Sequence, residues 1–479
     1  MRKLSRGAYE DTKGIVRFLE TTFEILVLTV LYYYVWRNDY PAELFPDYYQ
    51  RGILLLLSVY AILIFIFFQN SDCARFGQLR RTDLAIGQMI ALILVNIITY
   101  FQLCLIADEI LSILPILRLL VWEVVVAVFL IFAYTSIYYK LYAPHDMLLI
   151  YGSKNAVSLK LKMDSRRDKY KITKLISVDV GFEKLCEEIR NYESVIINDV
   201  PGPIRNDILK YCYLHRVRTY VAPKLTDIMI RGAKENTLFD TPLLLVKGTG
   251  LTPVERILKR TMDIVLCSIA MVVAAPFMLI IAAAIKLEDG GPVFYKQDRL
   301  TRNGQEFQIL KFRSMIVGAE EYTGAKLASE HDPRITKVGR VLRACRLDEL
   351  PQIINILKGD MSIVGPRPER KCYADEFYKD LPEFAYRLKV RGGLTGYAQI
   401  YGKYNTNPYD KLRLDMMYIE NYSLLLDIKL IILTLRVLFS KESTEGIDVA
   451  EEKEKLAEEL LYELKEEQER EDQLAAAGK

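Results

Sequence analysis

Four apolar stretches dominate the first third of the chain, at residues 15 to 36, 52 to 68, 84 to 107 and 114 to 139. A helix needs about 20 mainly apolar residues to cross a hydrocarbon core, so the pattern predicts four transmembrane helices. Basic residues sort across the intervening loops. Arg2, Lys3, Arg6 and Lys13 precede the first stretch, and Arg75, Arg80 and Arg81 separate the second from the third. The loop from 37 to 51 holds only Arg37 and Arg51, and the loop at Asp108 and Glu109 holds no basic residue. The excess of Lys and Arg on cytoplasmic sides then places everything after about residue 140 in the cytoplasm. The first stretch is too long for a signal peptide and no small-residue cleavage site follows it, so we expect it to be retained.

Beyond the membrane block the period changes. Strand-like MLLIYG (147–152), YKITKLISVDV (170–180), ESVIIND and VRTYVAP alternate with helix-like FEKLCEEIRNY (182–192) and IRNDILKYCYLHR. Alternation of this kind predicts a parallel α/β unit. Its first turn, GSKNAVSLK, keeps one glycine, Gly152, where a dinucleotide fingerprint needs three. With Ser153, Lys154 and Asn155 in the loop, a structural or regulatory role is favoured over nucleotide binding, and an oxidoreductase reading is poor.

Residues 264 to 285 form a further uncharged stretch, but Pro276 lies near its middle and bends a helix. Arg256, Lys259 and Arg260 stand before it and Lys286 after it, so both ends carry cytoplasmic-type anchors. A re-entrant helix, broken at Pro276 and returning to the same face, satisfies both observations. The segment 422–439 is apolar but carries Asp427, Lys429 and Arg436, which fits an interfacial helix or an ordinary core helix. In the charged tail, Leu456, Leu460 and Leu464 recur every four residues. It is expected to form a solvated helix, with a coiled-coil contact, and hence a homodimer, as the alternative.

Charge and cysteine usage narrow the class. A net charge of +3 with interspersed acids and bases argues against a nucleic-acid partner. Seven cysteines without CxxC spacing, beside three histidines, offer no zinc cluster.

Between residues 286 and 400, Arg and Lys crowd around short glycine and proline turns, as diphosphate binding requires. KFRSM (311–315) puts Lys311 and Arg313 on one side of an expected strand. VGPRPER (364–370) brackets Arg367 with two prolines, which aim a guanidinium suited to phosphate. LDELPQ (347–352) sets Asp348 beside Glu349 before Pro351. Helix capping is one reading of that pair. Set among Arg343, Arg346 and Arg367, an ionised Asp348 acting as a nucleophile toward phosphorus is the other.

These pieces resemble the catalytic domain of the bacterial sugar transferases, the monotopic polyprenyl-phosphate phosphoglycosyl transferases. The similarity runs from about 251 to 446 through KRTMD (259–263), the Pro276 segment, KFRSM, DPRITKVGRVLR (332–343), LDELPQIINILKGDMSIVGPRP (347–368), GLTGYAQIYG (393–402) and KLRLDMMYIENYSLLLDIK (411–429). The resemblance implies a membrane α/β protein. Its parts are a four-helix transmembrane bundle (1–142), a Rossmann-like α/β domain without an intact glycine loop (143–247), a catalytic domain with a re-entrant helix (248–446) and a charged tail (447–479).

By resemblance, Asp348 attacks the sugar-bearing phosphorus of a UDP-sugar, UMP leaves, and undecaprenyl phosphate takes the phosphosugar. Glu349 matches the second acid of the catalytic pair and Mg2+ sits by Asp348. Arg343, Arg367, Arg391 and Asp415 match substrate-binding positions, with Lys311 and Arg313 nearby. The implied setting is the bacterial inner membrane, with the catalytic domain cytoplasmic, UDP-glucose or UDP-galactose as donor, and an exopolysaccharide or capsule as the product pathway. Two positions depart from the family pattern: Thr301 stands in place of a glycine and Gly392 in place of a proline.

Overall fold

The computed structural model describes residues 6–40, 45, 48, 52–142, 144, 146–153, 156–166, 168–238, 240–319, 332–402 and 406–438. Lys154 and Asn155 of the first α/β turn, and the tail 447–479 with its leucines, lie outside the described residues. The chain divides into two units, one ending at Ala222 and one beginning at Pro223.

The first unit opens with helices α1 (Arg6–Asp39), α2 (Ile53–Asn70), α3 (Arg81–Ala107) and α4 (Leu114–Leu141). Each packs on the next and α1 meets α4, closing a ring. Leu28, Tyr32, Tyr60, Ile64, Leu92, Val95 and Leu119 fill the interior. The outer surface is apolar too: Leu54 is 73% exposed, Leu105 82% and Phe129 70%. A bundle that is hydrophobic all round is built for lipid rather than water, and α2, α3 and α4 are each long and apolar enough to cross a membrane. On α1, Glu20 and Glu24 are buried.

The same unit continues with β1 (Asp146–Tyr151), α5 (Ala156–Asp164), β2 (Lys171–Ser177), α6 (Phe182–Arg190), β3 (Ser194–Asn198), α7 (Gly202–Leu214) and β4 (Arg218–Val221). The strands pair in parallel in the order β2-β1-β3-β4. Apolar clusters lie on both sheet faces, Leu148 and Ile197 on one and Leu149 and Ile196 on the other. Burial on both faces is why the central strands are continuously apolar rather than alternating. Gly152 ends β1 where a Cβ would lie 2.5 Å from the Asp199 carbonyl oxygen, so close packing of strand ends accounts for this glycine.

The second unit comprises α8 (Leu225–Arg231), the hairpin β5 (Lys234–Leu238) and β6 (Thr241–Leu245), α9 (Pro253–Asp289), β7 (Phe294–Leu300), β8 (Glu306–Phe312), α10 (Lys337–Ala344), α11 (Gln352–Lys358), β9 (Ser362–Val364), α12 (Lys371–Asp380), β10 (Gly393–Thr395), α13 (Tyr397–Tyr401), α14 (Pro408–Glu420) and α15 (Leu424–Leu438). Helix α9 opens on a reciprocal cap between Thr252 and Glu255 and ends at Gly290 in the left-handed region. It is also long and apolar enough to cross a membrane, and it runs without interruption through Pro276, so the expected break at Pro276 is corrected to a proline carried inside a continuous helix.

One stripe of α9 is buried, through Lys259, Asp263, Cys267, Ile281 and Ile285. Its earlier half packs on Phe307, Ile309 and Ile353, and its later half on Phe312 and Leu342. The opposite stripe is bare and apolar, with Val272 77% and Leu279 72% exposed. Lys259 Nζ lies 2.6 Å from Asp427 Oδ2, and the Tyr418 hydroxyl donates to Asp427 Oδ1 at 2.8 Å. That buried ion pair, together with buried Leu430 and Leu433, makes α15 a core helix of this unit.

Candidate active site

The hairpin of β7 and β8 pairs Tyr295 with Lys311 and ends at Phe312. Lys311 reaches the short 3-10 turn Leu347–Glu349, where its Nζ lies 3.0 Å from Glu349 Oε1. Arg367 Nη2 donates to the same oxygen at 2.9 Å. Glu349 is thus held by two cations from distant parts of the chain. Burial would raise its carboxyl, but Arg367 and Lys311 override that and hold it well below the ordinary glutamate range.

Asp348, next in the turn, is placed differently. Among the described residues its carboxylate makes no hydrogen bond or ion pair with another side chain. Burial pushes its carboxyl up, Lys311 and Arg343 pull it down and Glu349 pushes it up, and the net direction is upward. The turn is set by Arg346 in the left-handed region at φ 53°, and Pro351 begins α11 with no side-chain cap. The capping reading of Asp348 therefore fails, because the carboxylate does not serve the helix that follows.

Behind Arg367 lies a second ionic cluster. Arg387, 3% exposed, donates to Asp415 Oδ2 with Nε at 3.0 Å, lies 3.3 Å from Glu369 Oε1, and donates to the backbone oxygen of Arg367 at 3.0 Å. Lys411 adds a bond of 2.7 Å to Glu369 Oε1. Burial opposes ionisation of Glu369, yet Lys411 and Arg387 hold its carboxyl down at about 2. The Pro366-Arg367-Pro368 turn is further fixed by close backbone approach: a Cβ on Gly365 would lie 2.4 Å from the Arg391 oxygen. Parallel pairing of β9 and β10 holds those two segments together.

Of the residues singled out in the sequence, the structure gathers Lys311, Glu349 and Arg367 around Asp348, with Arg343 in electrostatic reach. Asp415 is 1% exposed and bonded to Arg387, one layer behind. Arg313 goes elsewhere. The strand stops one residue before it, its Nε donates to the Pro292 oxygen at 2.6 Å, and its guanidinium grips Asp289 at the end of α9. The expectation that Lys311 and Arg313 share a strand face is therefore corrected. Arg391 lies among Arg260, Arg302, Asp263 and Asp360, with burial lowering its affinity for the proton.

Arg387, Glu369 and Lys411 were not anticipated. Only Glu369, directly after the second proline that brackets Arg367, had a local signal; the others come together through tertiary contact. The two departures from the family pattern also meet: Thr301 Oγ1 donates to the Asp360 oxygen at 2.8 Å and accepts from the Gly392 N–H at 3.4 Å. A proline at 392 has no N–H to give.

No three-residue cluster of metal-ligating side chains occurs among the described residues. The Asp348 carboxylate, with no side-chain partner among the described residues, nevertheless suits a hard divalent cation such as Mg2+, which is commonly held by one or two carboxylates plus substrate phosphates.

Residues 254–441 match the model of the family described as bacterial sugar transferase. The chain is 38% identical over 236 residues to a UDP-N-acetylgalactosamine-undecaprenyl-phosphate N-acetylgalactosaminephosphotransferase of Aeromonas hydrophila, covering 48% of this chain and 55% of that protein. It is 39% identical over 212 residues to a UDP-glucose:undecaprenyl-phosphate glucose-1-phosphate transferase of Caulobacter vibrioides (42% and 78%). It is 36% identical over 210 residues to the exopolysaccharide production protein ExoY of Rhizobium meliloti (41% and 92%). The chain spans about half the length of larger relatives such as the Aeromonas protein. The matches to the Caulobacter and Rhizobium proteins cover most of those proteins, the family model spans the Asp348 turn, and on that ground the chain belongs to the bacterial sugar transferase family.

Proposed function

We propose that this protein transfers a sugar-1-phosphate from a UDP-sugar to undecaprenyl phosphate, with Asp348 as the nucleophile. The observation that carries the reading is the contrast within one turn: Glu349 is locked by Lys311 and Arg367, while its neighbour Asp348 keeps a carboxylate with no side-chain hydrogen bond among the described residues. An Asp348 oxygen attacks the phosphorus that bears the sugar. The P–O bond to UMP breaks, UMP departs with that electron pair, and an aspartyl phosphosugar remains. A phosphate oxygen of the carrier then attacks the same phosphorus, forming the diphosphate-linked lipid sugar and freeing Asp348. Arg367, Lys311 and Arg343 supply positive charge around the transferring group, the main resource of phosphoryl transfer catalysis. A divalent cation held by Asp348 would neutralise the donor diphosphate.

The setting in this reading is supported by α9. Both halves of this helix rest on the same catalytic unit and its other stripe is bare and apolar. This supports a helix that dips into the bilayer and leaves on the side it entered, bending near Pro276 without losing its helical continuity. In this reading that side is the cytoplasmic face of a bacterial inner membrane, which the sorting of Lys and Arg across the loops supports. The donor in this reading is UDP-glucose or UDP-galactose, and the product begins an exopolysaccharide or capsule; names among the relatives add UDP-N-acetylgalactosamine to the panel. Purified protein incubated with each UDP-sugar, Mg2+ and undecaprenyl phosphate releases UMP with its proper donor. Absence of UMP with every donor, or equal release by Asp348→Asn, refutes the assignment.

A further inference from the structure

Two kinds of buried carboxylate occur in the helix bundle, and they are treated differently. Glu123 of α4 is fully buried, and both of its oxygens are satisfied: Oε1 accepts from the Tyr60 hydroxyl and Oε2 from Asn96 Nδ2 at 2.6 Å. Glu24 of α1 is equally buried but receives one bond, from Gln88 Nε2 to Oε2 at 3.1 Å. Its Oε1, the Oε1 of fully buried Gln88 and the Oε2 of Glu20 are buried without a partner. Glu20 and Glu24 are one helical turn apart on the same face, where side chains at i and i+4 are neighbours.

All three orphan atoms are oxygens that accept, so what is missing is a donor or a cation. Charge points the same way. Two carboxylates in an apolar bundle repel each other and are costly to bury unless something positive joins them. The groups facing them are few: Arg17 on α1 lies in electrostatic reach of Glu20, Tyr134 on α4 in reach of both carboxylates, and Gln88 is the facing polar group on α3. None of these supplies a bond to the orphan oxygens.

We propose that Glu20, Glu24 and Gln88 form a binding site for a single monovalent cation, a proton or a sodium ion, between α1 and α3 of the bundle. Binding there ties α1 to α3, so the stability of the bundle is linked to the concentration of the bound cation. The site is independent of the transferase reading, since it lies in the other unit.

The test uses the full-length protein in lipid nanodiscs. Thermal unfolding is followed in sodium chloride against choline chloride at equal ionic strength, and separately across pH, for wild type, Glu24→Gln and Glu20→Gln. A sodium site predicts a melting temperature that climbs with sodium but not choline in wild type and no longer does so in Glu24→Gln. A proton site predicts no sodium effect, a protonated-carboxyl infrared band in wild type that is missing in Glu24→Gln, and a wild-type melting temperature that falls as pH rises while that of Glu24→Gln stays level. Should either variant fail to assemble, the wild-type titrations and ²³Na relaxation still decide. Wild type indifferent to sodium and without a titratable infrared carboxyl band overturns the proposal.

Discussion

At the scale of single residues, the account rests on the different fates of adjacent acids. Asp348→Asn removes the nucleophile and keeps the shape, so UMP release should fall at least about 10⁴-fold, as for loss of a catalytic nucleophile or its immediate partner, with folding intact by circular dichroism. Arg367→Ala should cost about 10²–10³ in kcat through lost charge stabilisation. The pH profile has a definite sign. Asp348 must be ionised to attack, and burial with Glu349 beside it raises its carboxyl above the ordinary aspartate value near 4. The acid limb of kcat/KM should therefore lie above that value. Arg343→Gln removes a cation that pulls Asp348 down, so it should shift the limb to still higher pH, and an unmoved limb would disconnect Arg343 from the nucleophile. Asp348 was legible because its neighbours in sequence, Arg343 and Glu349, are also its neighbours in space. Arg387 was not, because its partners come from two distant segments, the Arg367 carbonyl and Glu369 from one and Asp415 from the other.

Among elements, the Pro366-Arg367-Pro368 turn is held by a buried cation, and that makes its stability measurable. Arg387→Ala leaves Asp415 buried without its bonded cation and Glu369 with Lys411 alone, a loss expected to destabilise the unit by about 3–5 kcal/mol, read as a lower urea midpoint. The Glu369 carboxyl is held at about 2, against roughly 4.3 in an unfolded chain. Its depressed value means that its stabilisation is complete above the unfolded value and is lost as pH falls from about 4 toward 2. Acid unfolding of wild type should show this loss, and Glu369→Gln should flatten that part of the curve. Thr301 and Gly392 offer a coupling test: a double-mutant cycle of Thr301→Gly and Gly392→Pro should be non-additive by roughly 0.5–1.5 kcal/mol, since each change removes the same hydrogen bond. Helix α9 shows where periodicity helped and where it misled. The apolar run at 264–285 was plain, but the helix begins at Pro253, because the charged turn carrying Lys259 and Asp263 is buried against α15 and β9. Charge alone made that turn look like a flank.

For the whole molecule, the four apolar runs and the strand-helix alternation were visible in the sequence because bilayer thickness and sheet burial impose periods on it. The two-faced burial of β1 and β3 explains why their apolar runs are continuous, and the lipid-facing shell explains why α2, α3 and α4 show so little amphipathic contrast. What the pattern could not carry was the polar interior of the bundle, where Glu24, Gln88 and Glu123 meet partners up to 64 residues away. The central claim concerns a covalent bond at one carboxylate. Intact-protein and peptide mass spectrometry after incubation with Mg2+ and the UDP-sugar donor, in the absence of carrier lipid, tests it most directly. The account predicts one added hexose phosphate on the peptide containing Asp348, discharged when undecaprenyl phosphate is supplied and missing in Asp348→Asn. Turnover with no adduct at that residue under rapid quenching, and undiminished in the variant, would contradict it.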